Sequence, residues 1–263
     1  AMNDLRISLI QSDLHWEDST ANRAMFEEKI WEIDQPTDVI VLPEMFTTGF
    51  SMDPVELAER MGLLTVRWMR QMAEQTKAVI TGSLIVEEDQ QYYNRLIWMP
   101  PVGDHQVYNK RHLFRMADEQ KAYAPGQERL IINYKGWNIC PMICYDLRFP
   151  VWSRNRMGAE RMDYDLLLYV ANWPEVRIQA WNTLLRARAI ENLAYVAGVN
   201  RIGNDGAGIF HNEKSAVFGP AGEVIVPGGD GERIISVTLS ADQLTTHRNR
   251  FPAWRDADDF RIL

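Results

Sequence analysis

The sequence predicts a layered fold of the α/β or α+β class. Short continuous apolar runs at Val39–Leu42, Trp137–Ile143 and Asp165–Val170 read as strands buried on both faces. They alternate with longer segments whose apolar residues recur at helical spacing. Glycine and proline punctuate the chain at short intervals, as at Pro100-Pro101, Pro125-Gly126 and Gly219-Pro220, and leave no long linker. The whole chain, 1–263, therefore reads as one domain.

The elements follow in order. Leu5–Ile10 alternates and reads as a strand. From Asp18 to Asp34, residues Ala21, Ala24, Met25, Ile30 and Trp31 fit one helical face, with Asp18 or Ser19 as cap and Pro36 as stop. The run Val39–Leu42 ends abruptly at Pro43-Glu44. Thr65 to Thr76 carries Val66, Met69, Met72 and Ala73 at helical spacing. Ala78–Val86, Tyr92–Met99 and Gln106–Tyr108 read as strands, the last ending at Lys110. The strand Trp137–Ile143 ends at Cys144, and Asp165–Val170 ends at Ala171-Asn172-Trp173-Pro174. Glu175 to Glu191 is helical, with a stripe of Ala180, Trp181, Leu184, Leu185 and Ala189. Strands follow at Ala194–Val199, Lys214–Phe218 and Arg233–Leu239. The glycine-rich stretch Gly203–Gly208 lacks the order of a phosphate loop and reads as a flexible turn.

Composition narrows the function. A net charge of −8 with scattered basic residues argues against nucleic acid. No apolar run approaches the ~20 residues of a membrane span, and the N-terminal residues do not read as a signal peptide. The two cysteines, Cys140 and Cys144, lie ~13 Å apart if both sit in one extended strand. A disulfide needs Cα atoms within about 7 Å, so both read as reduced, in a cytoplasmic protein. The five histidines are dispersed, and no zinc motif is present, so neither metal nor other cofactor is expected.

Glu44, Lys110 and Cys144 each stand just past the end of a strand, where ligand sites favour such sheets. Cys144 could be a nucleophile if a base or cation raises its thiolate share, and is otherwise a buried structural thiol. Glu44, at the edge of an apolar layer, could be a general base or simply reach solvent. Lys110 could donate to an oxyanion or solvate a loop.

Three segments taken together resemble the Glu–Lys–Cys signature of the nitrilase, or carbon–nitrogen hydrolase, superfamily. They are Leu42-Pro43-Glu44-Met45-Phe46, Tyr108-Asn109-Lys110-Arg111-His112-Leu113-Phe114 and Cys144-Tyr145-Asp146-Leu147-Arg148-Phe149-Pro150. Arg186–Asn192 resembles the family's helix behind the site, and Ser215–Glu223 its later strand and turn. Phe46-Thr47-Thr48-Gly49-Phe50, Ala171–Pro174 and the tail Phe251–Phe260 are similar to the bacterial omega-amidase branch. The resemblance implies a four-layer αββα sandwich extended across a homodimer. The tail, about 247–263, would then pack on the domain or on the partner subunit. It also implies a second glutamate between the lysine and the cysteine. Glu119 matches that place, with Asp118 adjacent.

The implied reaction is hydrolysis of the terminal carboxamide of a small 2-oxo dicarboxylic acid monoamide, such as 2-oxoglutaramate or 2-oxosuccinamate. Cys144 attacks, Glu44 moves the proton, and Lys110 and the Tyr145 backbone N–H hold the oxyanion. Glu119 orients Lys110 or relays a proton. Arg148 and Arg201 are candidates for the substrate carboxylate, though each could be a structural ion-pair partner. Phe50, Phe114, Met116 and Trp173 are candidate walls, though each could be core. The same triad serves nitrile hydrolysis and amidases acting on deaminated glutathione or carbamoyl amines. An inert binding scaffold on the same fold is the reading from a different class.

Overall fold

A computed structural model describes residues 2–212 and 214–263. Thirteen strands, one of them the two-residue Glu59–Arg60, build the two large sheets of the described residues, and four longer helices cover them. The first sheet runs in the order β12 (Arg233–Leu239), β1 (Leu5–Gln11), β2 (Val39–Val41), β3 (Val79–Glu88), β4 (Gln91–Met99) and β5 (Gln106–Asn109), with Glu59–Arg60 paired alongside β3. The second runs β11 (Val224–Val226), β10 (Ala216–Phe218), β9 (Tyr195–Val199), β8 (Leu166–Val170), β7 (Trp137–Ile143) and β6 (Ile132–Tyr134). Each sheet has a parallel centre, β1–β2–β3 and β7–β8–β9, flanked by antiparallel strands.

Strand alternation decides which residues face which layer. Leu5, Ile7, Leu9, Val39 and Val41 point from the first sheet into a cluster shared with Ile139, Leu168 and Ala197 of the second. Ile10, Ile40, Leu42 and Ile80 point the other way. There they meet Phe26 and Ile30 of α1 (Ser19–Trp31) and Val66, Met69, Met72 and Ala73 of α2 (Leu64–Thr76). Trp181, Leu185 and Ala189 of α3 (Ile178–Asn192) cover the second sheet. A Cβ on Gly198 of β9 would lie 2.7 Å from Trp181 and 2.8 Å from Leu185, so the missing side chain is what lets α3 sit on the sheet. The layers are therefore helix, sheet, sheet, helix.

Several local expectations are revised. In α1 the buried face is Asn22, Phe26 and Ile30, and Trp31 is turned out to solvent. Asp18 caps this helix by accepting from Ala21 N at 3.0 Å. The segment from Glu175 begins as a 3-10 turn, Glu175–Arg177, before α3. Gly203–Gly208 forms a turn within a short hairpin: Gly203–Asn204 pairs with Phe210–His211, and Asp205 accepts from Ala207 N and Ile209 N, both at 2.9 Å. The tail begins inside α4 (Ala241–Arg250), where Arg248 binds Asp165 at 2.7 Å. Further on, Phe260 O accepts from Arg156 at 3.0 Å, so the tail touches its own chain. Among the described residues, no helix is long and apolar enough to cross a membrane.

Candidate active site

β2 and β5 run in the same direction, since β3, β4 and β5 alternate and β2 is parallel to β3. The residues just past their ends, Glu44 and Lys110, therefore emerge at one edge of the first sheet. β7 and β8 deliver Cys144 and Asn172 to the same place from the second sheet.

Lys110 Nζ donates to Glu44 Oε2 and to Glu119 Oε1, each at 2.9 Å. All three side chains are fully or almost fully buried. The second glutamate is thus Glu119, while Asp118 points outward and pairs with Lys121 at 3.2 Å. Asn94 Nδ2 donates to Glu44 Oε2 at 2.8 Å and to Glu119 Oε2 at 3.2 Å, and Phe114 N donates to Glu119 Oε1 at 2.7 Å. Asn172 N donates to Glu44 Oε1 at 3.0 Å, and Asn172 Nδ2 to Glu44 O at 2.5 Å. Glu44 Oε1 therefore keeps acceptor capacity. An ammonium has three hydrogens, and the two carboxylates take two from Lys110.

Cys144 begins the 3-10 segment Cys144–Arg148 with φ +44°, a left-handed conformation rare for a residue with a side chain. Asp146 secures this turn. Its Oδ2 accepts from Ile143 N at 3.0 Å and Tyr108 OH at 2.6 Å, and its Oδ1 accepts from His112 N at 3.0 Å. From behind, Arg188 of α3 donates to Leu147 O at 2.7 Å. The Cys144 thiol donates to Asn172 O at 3.7 Å, and Asn172 N donates to Glu44 Oε1, which sets the thiol beside that carboxylate.

Burial pushes the Cys144 thiol well above its ordinary pKa, Glu44 adds to this, and Lys110 only partly offsets it. The resting thiol is therefore protonated. Burial also works against the Lys110 ammonium, but Glu119 and Glu44 outweigh it and hold the lysine charged. Burial raises the Glu119 carboxyl against the opposing pull of Lys110.

A cavity of about 440 Å³ opens above this cluster. Cys144 and Lys110 form its reactive floor, and Phe50, Phe114, Met116, Tyr145, Arg148 and Trp173 line it, together with Asn172 and Arg177. Lys110 Nζ lies 5.1 Å from the centre of the Phe50 ring. Glu44 and Glu119 stand behind Lys110 rather than in the lining. Arg201 does not line the cavity. Its fully buried guanidinium donates to Asp13 at 3.1 Å, to Ile202 O at 3.0 Å and to Asn204 O at 3.1 Å, so it takes the structural ion-pair role. Asn94, Asn172, Asp146 and Arg177 were not singled out by sequence reasoning. The readable signals were a polar residue inside the strand Tyr92–Met99 and an acid two places after the cysteine. Among the described residues, no group of His, Cys, Asp or Glu is placed to hold a metal ion.

Residues 6–249 match the carbon-nitrogen hydrolase family. The chain belongs to that family. This carbon–nitrogen hydrolase is 46% identical to the omega-amidase YafV of Escherichia coli, over 99% of this chain and 100% of the relative. It is 31% identical to the 2-oxoglutaramate amidase of Bacillus subtilis, over 95% and 96% of the two chains. A crystal structure from Xanthomonas campestris, described as a CN-hydrolase superfamily protein with an arsenic adduct in its active site, covers both chains fully. It has a TM-score of 0.97 and 46% identity. The Nit3 structure of Saccharomyces cerevisiae has a TM-score of 0.84 at 25% identity and covers 95% of each chain.

Proposed function

We propose that this hydrolase is an omega-amidase that converts 2-oxoglutaramate or 2-oxosuccinamate to the 2-oxo acid and ammonia. The observation that carries the reading is the buried Glu44–Lys110–Glu119 cluster set against Cys144 at the floor of an apolar cavity. The relatives named for this activity support the substrate class.

The protonated thiol needs a base at the moment of attack, and Glu44 Oε1 has the free acceptor capacity. Cys144 Sγ adds to the amide carbonyl carbon as its proton passes to Glu44. The carbonyl oxygen becomes an oxyanion, met by the third Lys110 hydrogen and by Tyr145 N–H, at the open start of a helical turn where N–H groups lack partners within the turn. The intermediate collapses, the carbon–nitrogen bond breaks, and Glu44 returns the proton to departing ammonia. Water, deprotonated by Glu44, then attacks the thioester and releases the acid and the thiol. Glu119 acts on Lys110 and is a positioning residue.

The protein is further read as a homodimer, as its resemblance to the nitrilase superfamily implies. The two buried free cysteines suit a cytoplasmic setting. The testing experiment ranks kcat/KM for 2-oxoglutaramate, 2-oxosuccinamate, deaminated glutathione, a carbamoyl amine and a nitrile. The two 2-oxo amides are expected to lead; first place for any other compound overturns the substrate assignment.

A further inference from the structure

Two arginines line the cavity, Arg148 from the turn after Cys144 and Arg177 from the 3-10 turn before α3. Both are half-buried. The buried arginines among the described residues are paired with acids, Arg95 with Glu88, Arg188 with Glu191 and Arg201 with Asp13, and the half-buried Arg248 pairs with Asp165. Among the described residues, neither Arg148 nor Arg177 has such a carboxylate partner. Instead, aromatic faces hold them. The Arg148 guanidinium carbon lies 5.0 Å from the centre of the Trp173 ring, and that of Arg177 lies 5.5 Å from the Phe114 ring. Arg177 Nη2 also donates to Met116 Sδ at 3.6 Å. A stacked guanidinium keeps its edge free for hydrogen bonding, and each carries five N–H donors.

The other charged groups of the lining do not neutralise this pair. Lys110 is held between Glu44 and Glu119. Asp205 keeps its charge, but its Oδ1 accepts from Ala207 N and Ile209 N, which ties the carboxylate to its own turn and not to either arginine. Burial and the nearby Arg201 cation pull His211 down to about 4, which keeps it neutral. An otherwise acidic protein thus presents two uncommitted, oriented cations to an apolar cavity that has a nucleophile at its floor.

We infer that Arg177, acting with Arg148, is the specificity-determining clamp for the free carboxylate at the end of the substrate away from the scissile amide. This rests on the omega-amidase reading and extends it: the cavity selects amides bearing a remote anion. A carboxylate gripped there leaves the chain of the substrate along the Phe50 and Trp173 walls and the amide over Cys144. Arg177 was not a candidate on sequence grounds, because it stands in a surface-like run, Pro174-Glu175-Val176-Arg177, with no motif around it.

The test compares 2-oxoglutaramate with pentanamide, a neutral amide of equal chain length, on the wild-type protein and on Arg177→Met, Arg177→Lys and Arg148→Met. The readout is the ratio of the two kcat/KM values, with circular dichroism and Cys144 alkylation as checks on folding. The clamp predicts that Arg177→Met lowers this ratio by roughly 100-fold, carried mainly by KM for 2-oxoglutaramate, and that Arg177→Lys recovers part of it. A wild-type preference for 2-oxoglutaramate that persists in Arg177→Met and Arg177→Lys overturns the clamp and leaves the amidase reading standing. A wild-type protein that shows no such preference overturns both. Should Arg177→Met not fold, the Arg177→Lys ratio decides alone: a ratio equal to wild type with unaltered KM counts against the clamp.

Discussion

In the proposed mechanism Cys144 is the nucleophile, and it rests as a thiol. Its burial and the Glu44 charge both oppose ionisation, so its reactivity depends on Glu44 accepting the proton during attack. Alkylation of Cys144 by iodoacetamide should therefore be slow at neutral pH and keep rising above pH 9, the ordinary value for a thiol. A rate already at its plateau near neutrality would show a resting thiolate and contradict the account. Glu119 acts through Lys110, since its charge is one of the two that hold the ammonium protonated. Removing it in Glu119→Gln lowers the lysine pKa, so the alkaline limb of kcat/KM should move to lower pH. The kcat should fall by about 10²-fold with a smaller change in KM. An unmoved limb would leave Glu119 a merely structural residue. Glu44, Lys110 and Cys144 were legible in the sequence because each stands just past the end of a strand within a recognisable motif. Asn94 and Asn172 were not, because their importance lies in which carboxylate oxygens they reach, a relation between strands far apart in the chain.

The elements hold these groups through close backbone approaches. Gly126 N donates to Lys110 O at 2.9 Å, and a Cβ on Gly126 would meet Asn109 O at 2.0 Å. The Gly126→Ala substitution must push this backbone aside, because a carbonyl cannot rotate away as a side-chain tip can. It should cost about 1–3 kcal/mol of stability in a urea titration, and lower kcat by displacing Lys110. Unchanged stability and activity would mean that the loop is not what positions the lysine. Most strand and helix positions were readable from periodicity, and Trp137–Ile143 and Arg233–Leu239 agree to the residue. The failures have physical causes. Trp31 belongs to a plausible helical face, but the sheet is met by Phe26 and Ile30, a row rotated away from it. Ile132–Tyr134 and Val224–Val226 are three-residue edge strands, too short to show a period. The helix Ala241–Arg250 buries only Ala241 and Leu244, so its apolar stripe is faint.

Across the whole molecule, the facing sheets are linked by charge as well as by apolar packing. Asp38, ahead of β2, pairs with Arg6 of β1 at 3.0 Å and with Lys135, in the turn between β6 and β7, at 2.6 Å. Burial raises the Asp38 carboxyl, but Arg6 and Lys135 overcome it and bring it down to about 2. A carboxyl so depressed contributes stability above its ordinary value of 3.8, and that contribution is lost as pH falls toward about 2. His211 titrates in a higher window. Burial, then Arg201, lowers it from 6.5 to about 4, so the unfolded chain binds more protons between those values. Stability should therefore decline by up to about 3 kcal/mol as pH falls from 6.5 toward 4, and His211→Gln should flatten this part of the profile. A slope of equal size in His211→Gln would assign the loss to another group. The layered class was legible from alternating strands and helices, and the four-layer sandwich from the motif resemblance. The cavity was less so, because Arg148 and Arg201 are equivalent in a sequence and differ only in whether an acid such as Asp13 lies beside them.

The central claim is that Cys144 takes the acyl group of a terminal amide and releases ammonia. It is tested most directly by acid-quenched rapid mixing with 2-oxoglutaramate, followed by intact mass and ammonia measurement. The account predicts a thioester on Cys144 that forms with the first equivalent of ammonia and decays to 2-oxoglutarate, with neither adduct nor ammonia in Cys144→Ala. Ammonia release at the wild-type rate from Cys144→Ala would contradict it.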